Sequence, residues 1–186
     1  MLMVFTKEKN DLENGLYDGS VTNVVIPESV SIIETGCFAG TNIETITIPE
    51  TVTEIKYGAF QESKLKTIFI PSSVTSISAQ CFGWCGDLET VEMSEGLETI
   101  EAWCFYSCKK LKELRFPNTL TGSLGDATCT ACSALESVYI PTNVTKIASN
   151  VFSGCSNLTT ITINKPKDSI SGAPWGATNA TVVWNG

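Results

Sequence analysis

Leu88-Glu89-Thr90-Val91-Glu92-Met93-Ser94-Glu95-Gly96-Leu97-Glu98-Thr99-Ile100-Glu101-Ala102-Trp103-Cys104-Phe105-Tyr106-Ser107-Cys108 holds one complete unit of the pattern on which the chain is built. Thr90-Val91-Glu92-Met93 alternates with period two, which reads as a short strand with one buried face. Leu97 and Ile100 follow at a spacing of three, then Phe105, and Leu111 leads into the next alternating segment, Glu113-Leu114-Arg115-Phe116.

The unit recurs on both sides. Ile26-Pro27, Ile48-Pro49, Ile70-Pro71, Met93-Ser94, Phe116-Pro117 and Ile140-Pro141 are separated by 22, 22, 23, 23 and 24 residues, and a further step of 23 reaches Ile163-Asn164. Three residues past each Pro position stand Val30, Val52, Val74, Leu97, Leu120 and Val144. Ile33, Ile55, Ile77, Ile100 and Ile147 come three later, with Leu124 one residue late past Gly122-Ser123. An aromatic column follows at Phe38, Phe60, Phe82, Phe105 and Phe152, with Cys129 in place of the ring in the fifth unit. Pro ends each strand because it cannot donate to a ladder. The stretch up to each Phe is too short for a full helix and is expected as a turn or a short 3₁₀ piece.

A unit of this size cannot bury its own apolar face, but it can bury it against a neighbour. The expectation is therefore a solenoid, one coil per unit, with strands about 4.8 Å apart and like residues in ladders. Residues 1–20 read as a degenerate N-terminal cap or cut repeat, since only Leu16 to Val21 keeps the spacing. Residues 21–164 hold six repeats. Residues 165–186 read as a C-terminal cap, in which Thr181-Val182-Val183-Trp184 is a final strand and Trp175 and Trp184 are lids on the core.

Composition narrows the function. Twelve Lys+Arg against 20 Asp+Glu give a net charge of −8 over 186 residues, so a nucleic-acid partner, which needs a basic face, is not expected. The absence of His removes Ser-His-Asp and Cys-His catalysis and His-ligated metals. Neither a Gly-rich phosphate loop nor a Gly-x-Ser-x-Gly elbow occurs. Carboxylates are spread over the coils without a cleft to desolvate one of them, which is needed to separate their pKa values for acid–base work. No enzyme, no cofactor and no metal is expected. The sequence shows no signal peptide and no membrane-spanning run, and a monomer in isolation is expected.

The eight Cys follow the repeat frame. Cys85, Cys108, Cys132 and Cys155 lie three residues after the aromatic position, and Cys37, Cys81 and Cys104 lie just before it. Cys129 and Cys132 form a CxxC, the short pattern of redox and zinc sites. In frame they read as small apolar residues repeated with the repeat, and the thiols are expected reduced and buried.

The order Leu88-x-x-Val91-x-Met93-x-x-x-Leu97-x-x-Ile100-x-x-x-Cys104-Phe105-x-x-Cys108, together with the recurring Ile-Pro, resembles the treponemal-type, BspA-like leucine-rich repeats over residues 16–164. The resemblance implies a leucine-rich repeat solenoid, right-handed, with a parallel β-sheet on the concave face. Short strands, turns and 3₁₀ pieces would occupy the convex side, with little α-helix. It also implies a bacterial cell-surface or extracellular setting as part of a longer chain, and adhesion.

In that frame the central outward column of the concave sheet is Val25, Thr47, Phe69, Glu92, Arg115, Tyr139 and Thr162. Aromatics and Arg are enriched at binding hot spots, and Arg115 is the only Arg. Phe69, Glu92, Arg115 and Tyr139, flanked by Thr47 and Thr162, are the candidate contact residues for a protein or glycan partner. Phe69 and Tyr139 are also plain β-favouring residues, and Glu92–Arg115 also reads as an ordinary cross-strand pair. The expected function is a non-enzymatic binding or adhesion module, with a structural spacer in a surface or tail assembly as the alternative.

Overall fold

The computed structural model describes residues 21–186, so the cap or cut repeat expected at residues 1–20 lies outside the described residues. In chain order the strands are β1 (Asn23–Val25), β2 (Ile32–Ile33), β3 (Thr45–Thr47), β4 (Glu54–Ile55), β5 (Thr67–Ile70), β6 (Ser76–Ile77) and β7 (Thr90–Met93). There follow β8 (Thr99–Ile100), β9 (Glu113–Arg115), β10 (Gly122–Leu124), β11 (Ser137–Ile140), β12 (Val144–Ile147), β13 (Thr160–Ile163) and β14 (Thr181–Trp184). Every pairing is parallel and joins neighbouring coils. The result is a β-solenoid, with no helix among the described residues.

Each coil has three sides. On the first, the alternating segments stack as β1-β3-β5-β7 and β9-β11-β13-β14. Val24, Ile46, Ile68, Val91, Leu114, Val138 and Ile161 point inward and are buried, while the residues between them face out. At the Pro position the chain turns: the amides of Val30, Val52, Val74, Leu120 and Val144 donate to the carbonyl of the Pro three residues earlier. Short strands form the second side, β2-β4-β6-β8 and β10-β12, with Ile33, Ile55, Ile77 and Ile100 inside. The residue inserted in the fifth unit shows as a register shift between Gly122 and Ser123.

The third side is built differently from a 3₁₀ piece. Amides there alternate between two partners. Gly36, Phe38 and Gly40 donate to Tyr57, Ala59 and Gln61 of the next coil, while Cys37, Ala39 and Thr41 close turns onto residues three earlier. A 3₁₀ helix would spend every amide inside its own coil. Here half of them tie coils together, which buried backbone between stacked coils requires. The geometry needs a left-handed residue at each end of the corner, as at Gly36 and Gly40 in the first coil.

Behind this corner the rings of Phe38, Phe60, Phe82 and Phe105 stack with centroids 5.3, 5.4 and 5.5 Å apart and planes within 6°. Cys129 ends the run, so Phe152 is buried in the same column without a ring beneath it. At the far end, the carbonyl of Trp175 accepts the amide of Phe152, and its indole, 1% exposed, packs edge-on to Trp184 at 6.3 Å.

All eight cysteines are free thiols, seven buried and Cys37 half-buried. Cys85, Cys108, Cys132 and Cys155 donate to the carbonyls of Phe60, Phe82, Phe105 and Cys129, the aromatic column of the coil before. The column thus asks for a small side chain with a donor, and Ser63 occupies it in the second coil, 3.4 Å from Cys85 Sγ.

Candidate functional site

The strand side carries all six residues singled out from the outward column. Thr47, Phe69, Glu92 and Arg115 are exposed; Tyr139 and Thr162 are half-buried. Register places Phe69 beside Glu92, Arg115 beside Tyr139, and Tyr139 beside Thr162. No ladder joins β7 to β9, although the two lie in contact, so this side consists of two four-stranded sheets meeting at a seam. The coil at the seam is the one with Met93-Ser94 in place of Ile-Pro.

A groove of about 690 Å³ lies over the seam. Glu92, Arg115, Tyr139 and Thr162 line it, together with Glu95, Glu113 and Asn185; Phe69 and Thr47 do not. A concave surface therefore brings together four of the six residues and leaves two on the flank.

Glu92 and Arg115 form no ion pair, in contrast to the cross-strand pair read from the sequence. Without a ladder at the seam, nothing fixes the two side chains opposite each other. Arg115 lies instead over its register neighbour, with its guanidinium carbon 3.9 Å from the Tyr139 ring centroid. Such a contact holds a cation against the ring face while leaving its N–H groups available to a ligand. The Tyr139 hydroxyl donates to Asn118 Oδ1 at 3.4 Å, and Asn118 Nδ2 donates to Glu95 Oε1 at 2.8 Å. The Thr119 amide donates to the other Glu95 oxygen at 3.1 Å. Burial would raise the Glu95 carboxyl, but the hydrogen bonds from Asn118 and Thr119, helped by the Arg115 charge, hold it below its usual range. Glu95 is thus a fixed acceptor at the groove rim and not a proton donor.

Glu95 and Asn118 are the candidate residues at the groove rim that the outward column misses. Both stand one residue past the Pro position, where the strand has already turned. Extending the column by three residues along each unit reaches them.

The cysteines supply no reactive group. Burial pushes the Cys85 thiol up to about 11, and raises Cys81, Cys104, Cys108 and Cys129 as well. Thiols this far above neutrality are poor nucleophiles and poor metal ligands. Among the described residues no group of three or more His, Cys, Asp or Glu is placed to hold a metal ion.

A family model described as the BspA type leucine rich repeat region matches residues 13–126 and 122–175, in six copies. Among curated proteins none matches the chain significantly. Among solved structures, the leucine rich repeat protein of T. pallidum is similar at a TM-score of 0.73 and 21% identity, over 95% of this chain and 82% of that one. A leucine-rich repeat protein from Bacteroides ovatus is similar at a TM-score of 0.53 and 21% identity, over 89% of this chain and 54% of that one. At these identities the likeness is one of fold.

Proposed function

Since the chain belongs to the BspA-type leucine-rich repeat family, we propose that it is a non-catalytic binding module that receives a protein partner in the groove over the seam. The observation that carries the reading is Arg115 held 3.9 Å over Tyr139 in that groove. Arg and Tyr are the residue types that most often anchor an interface. Here Tyr139 already meets Asn118 and Arg115 already lies on the ring without a partner, an arrangement that lowers the entropy cost of binding. Phe69, 49% exposed on the flank, extends the contact face beyond the groove. The setting proposed is a cell surface, as the family resemblance implies, with this solenoid as one part of a longer chain.

The test uses a photoactivatable side chain at Thr47 or Thr162, on either side of the seam, to capture and identify a partner from cell-surface protein. The partner is then titrated against the wild type and against the triple variant Phe69→Ser, Arg115→Ser, Tyr139→Ser. Loss of at least tenfold in affinity, about 1.4 kcal/mol, is expected. A partner that binds the triple variant at full affinity refutes the reading.

A further inference from the structure

Trp84, Trp103 and Tyr106 stand together on the turn side, away from the groove. Tyr106 lies between the two indoles, with ring centroids 4.9 Å from Trp84 and 4.8 Å from Trp103. Both Trp residues have left-handed backbone, with φ of 60° and 64°. In the equivalent corner places other coils carry Gly36, Gly40, Gly58 and Gly154, but also Glu62, Gln80, Ser107, Ala127 and Ala131, all with positive φ. The left-handed backbone therefore belongs to the corner itself. What sets Trp84 and Trp103 apart is the size of the side chain and its exposure, 38% and 37%.

The size and surroundings of the cluster point to its occupant. The exposed parts of the two indoles come to roughly 200 Å². That is far below the roughly 800 Å² that a stable protein interface needs from each partner, and it matches the faces of one or two sugar rings. Two polar residues stand in the coils before. Glu62 occupies the place of Trp84 in the coil before, and Gln80 occupies that of Trp103. Tyr57 donates its hydroxyl to Gln80 Oε1, which fixes the amide and turns its N–H groups to other acceptors. A pyranose ring offers a C–H face to stack on an aromatic ring and an edge of hydroxyls to meet a carboxylate and an amide. The net charge of −8 and the nearby Glu62 disfavour uronic, sialylated and phosphorylated sugars.

We infer that Trp84, Trp103 and Tyr106 form a stacking platform for a neutral pyranose glycan, separate from the groove and independent of it.

Tryptophan fluorescence and saturation-transfer NMR test this on the whole chain with cellohexaose, laminarihexaose and mannohexaose, each up to roughly 10 mM, the range for a small open site. Tetramethylammonium and hexagalacturonate are the competing probes. The variant is Trp84→Gly with Trp103→Gly, the residue that the first coil carries at those places as Gly40 and Gly36; an unchanged circular dichroism spectrum and a cooperative melt confirm its fold. Binding of at least one neutral oligosaccharide, weakened at least about tenfold in the double variant and unchanged in the Phe69/Arg115/Tyr139 variant, is the expected result. No response to any of the three neutral probes overturns the inference. So does binding that survives the double variant, or a response confined to the cation or the acidic probe.

Discussion

The buried thiols make the solenoid sensitive to alkali, and Cys85 sets the scale of the effect. Seven are buried, and an exposed thiol ionises near 9.0. Burial raises the folded-state value of Cys85 to about 11 and raises Cys81, Cys104, Cys108 and Cys129 too. The hydrogen bond with Cys108 is the first cause for Cys132, and that with Cys132 the first cause for Cys155, with burial adding to both. A group whose pKa is higher in the folded state contributes its full stability below the unfolded value and loses it as pH rises toward the folded one. At pH 10 an unfolded thiol of pKa 9 is about ten-elevenths ionised, while Cys85, at about 11, largely keeps its proton. The loss for Cys85 is about 1.4 kcal/mol relative to neutral pH. The other buried thiols are raised in the same direction and add to it. A fall in stability between about pH 8 and 10 is expected, followed by circular dichroism in urea at several pH values with reductant present. Cys85→Ser isolates the cause, because a hydroxyl preserves the bond to the Phe60 carbonyl and does not ionise. The substitution shrinks the drop between pH 7 and 10 by about 1.4 kcal/mol, and ionisation of Lys and Tyr cancels in the difference. An equal drop in the wild type and the variant would overturn the account.

Three further outcomes are expected. Gly96→Ala places a Cβ 2.1 Å from the Ser72 carbonyl oxygen at φ +130°, while Gly40→Ala meets nothing within 4 Å, so thermal melts separate them: more than about 2 kcal/mol for the first against about 1 for the second. Phe82→Ala removes a ring stacked on both sides and costs about 3–5 kcal/mol in urea unfolding; Phe152→Ala, without a stacked neighbour, costs about 0.5–1.5 kcal/mol less. The Lys110 hydrogen bond, with its charge, holds Asp87 below its usual range. The stability this contributes is present above about pH 4 and fades as pH falls, so Lys110→Gln flattens the acid limb of a stability–pH curve, and 0.5 M salt does much the same.

Much of the fold was legible in the letters. Alternation in Thr67-Ile68-Phe69-Ile70 states which side chains face in, because a strand has a side-chain period of two whatever it pairs with. The recurrence of Phe at 22 or 23 residues states which rings meet, because stacked coils turn equal spacing into equal place. The corner was less legible. Glu62, Gln80, Trp84 and Trp103 adopt left-handed backbone that their own preferences oppose, and only the bonds to the neighbouring coils hold them there.

The in-or-out direction of each residue and the order of the columns follow from the letters alone, both being consequences of local geometry repeated at constant length. How neighbouring coils meet emerges only in three dimensions: the missing ladder between β7 and β9, the turn of Arg115 toward Tyr139 and away from Glu92, and the gathering of Trp84, Trp103 and Tyr106. These depend on side chains of two coils at once and on the register between them, a relation that no single unit contains.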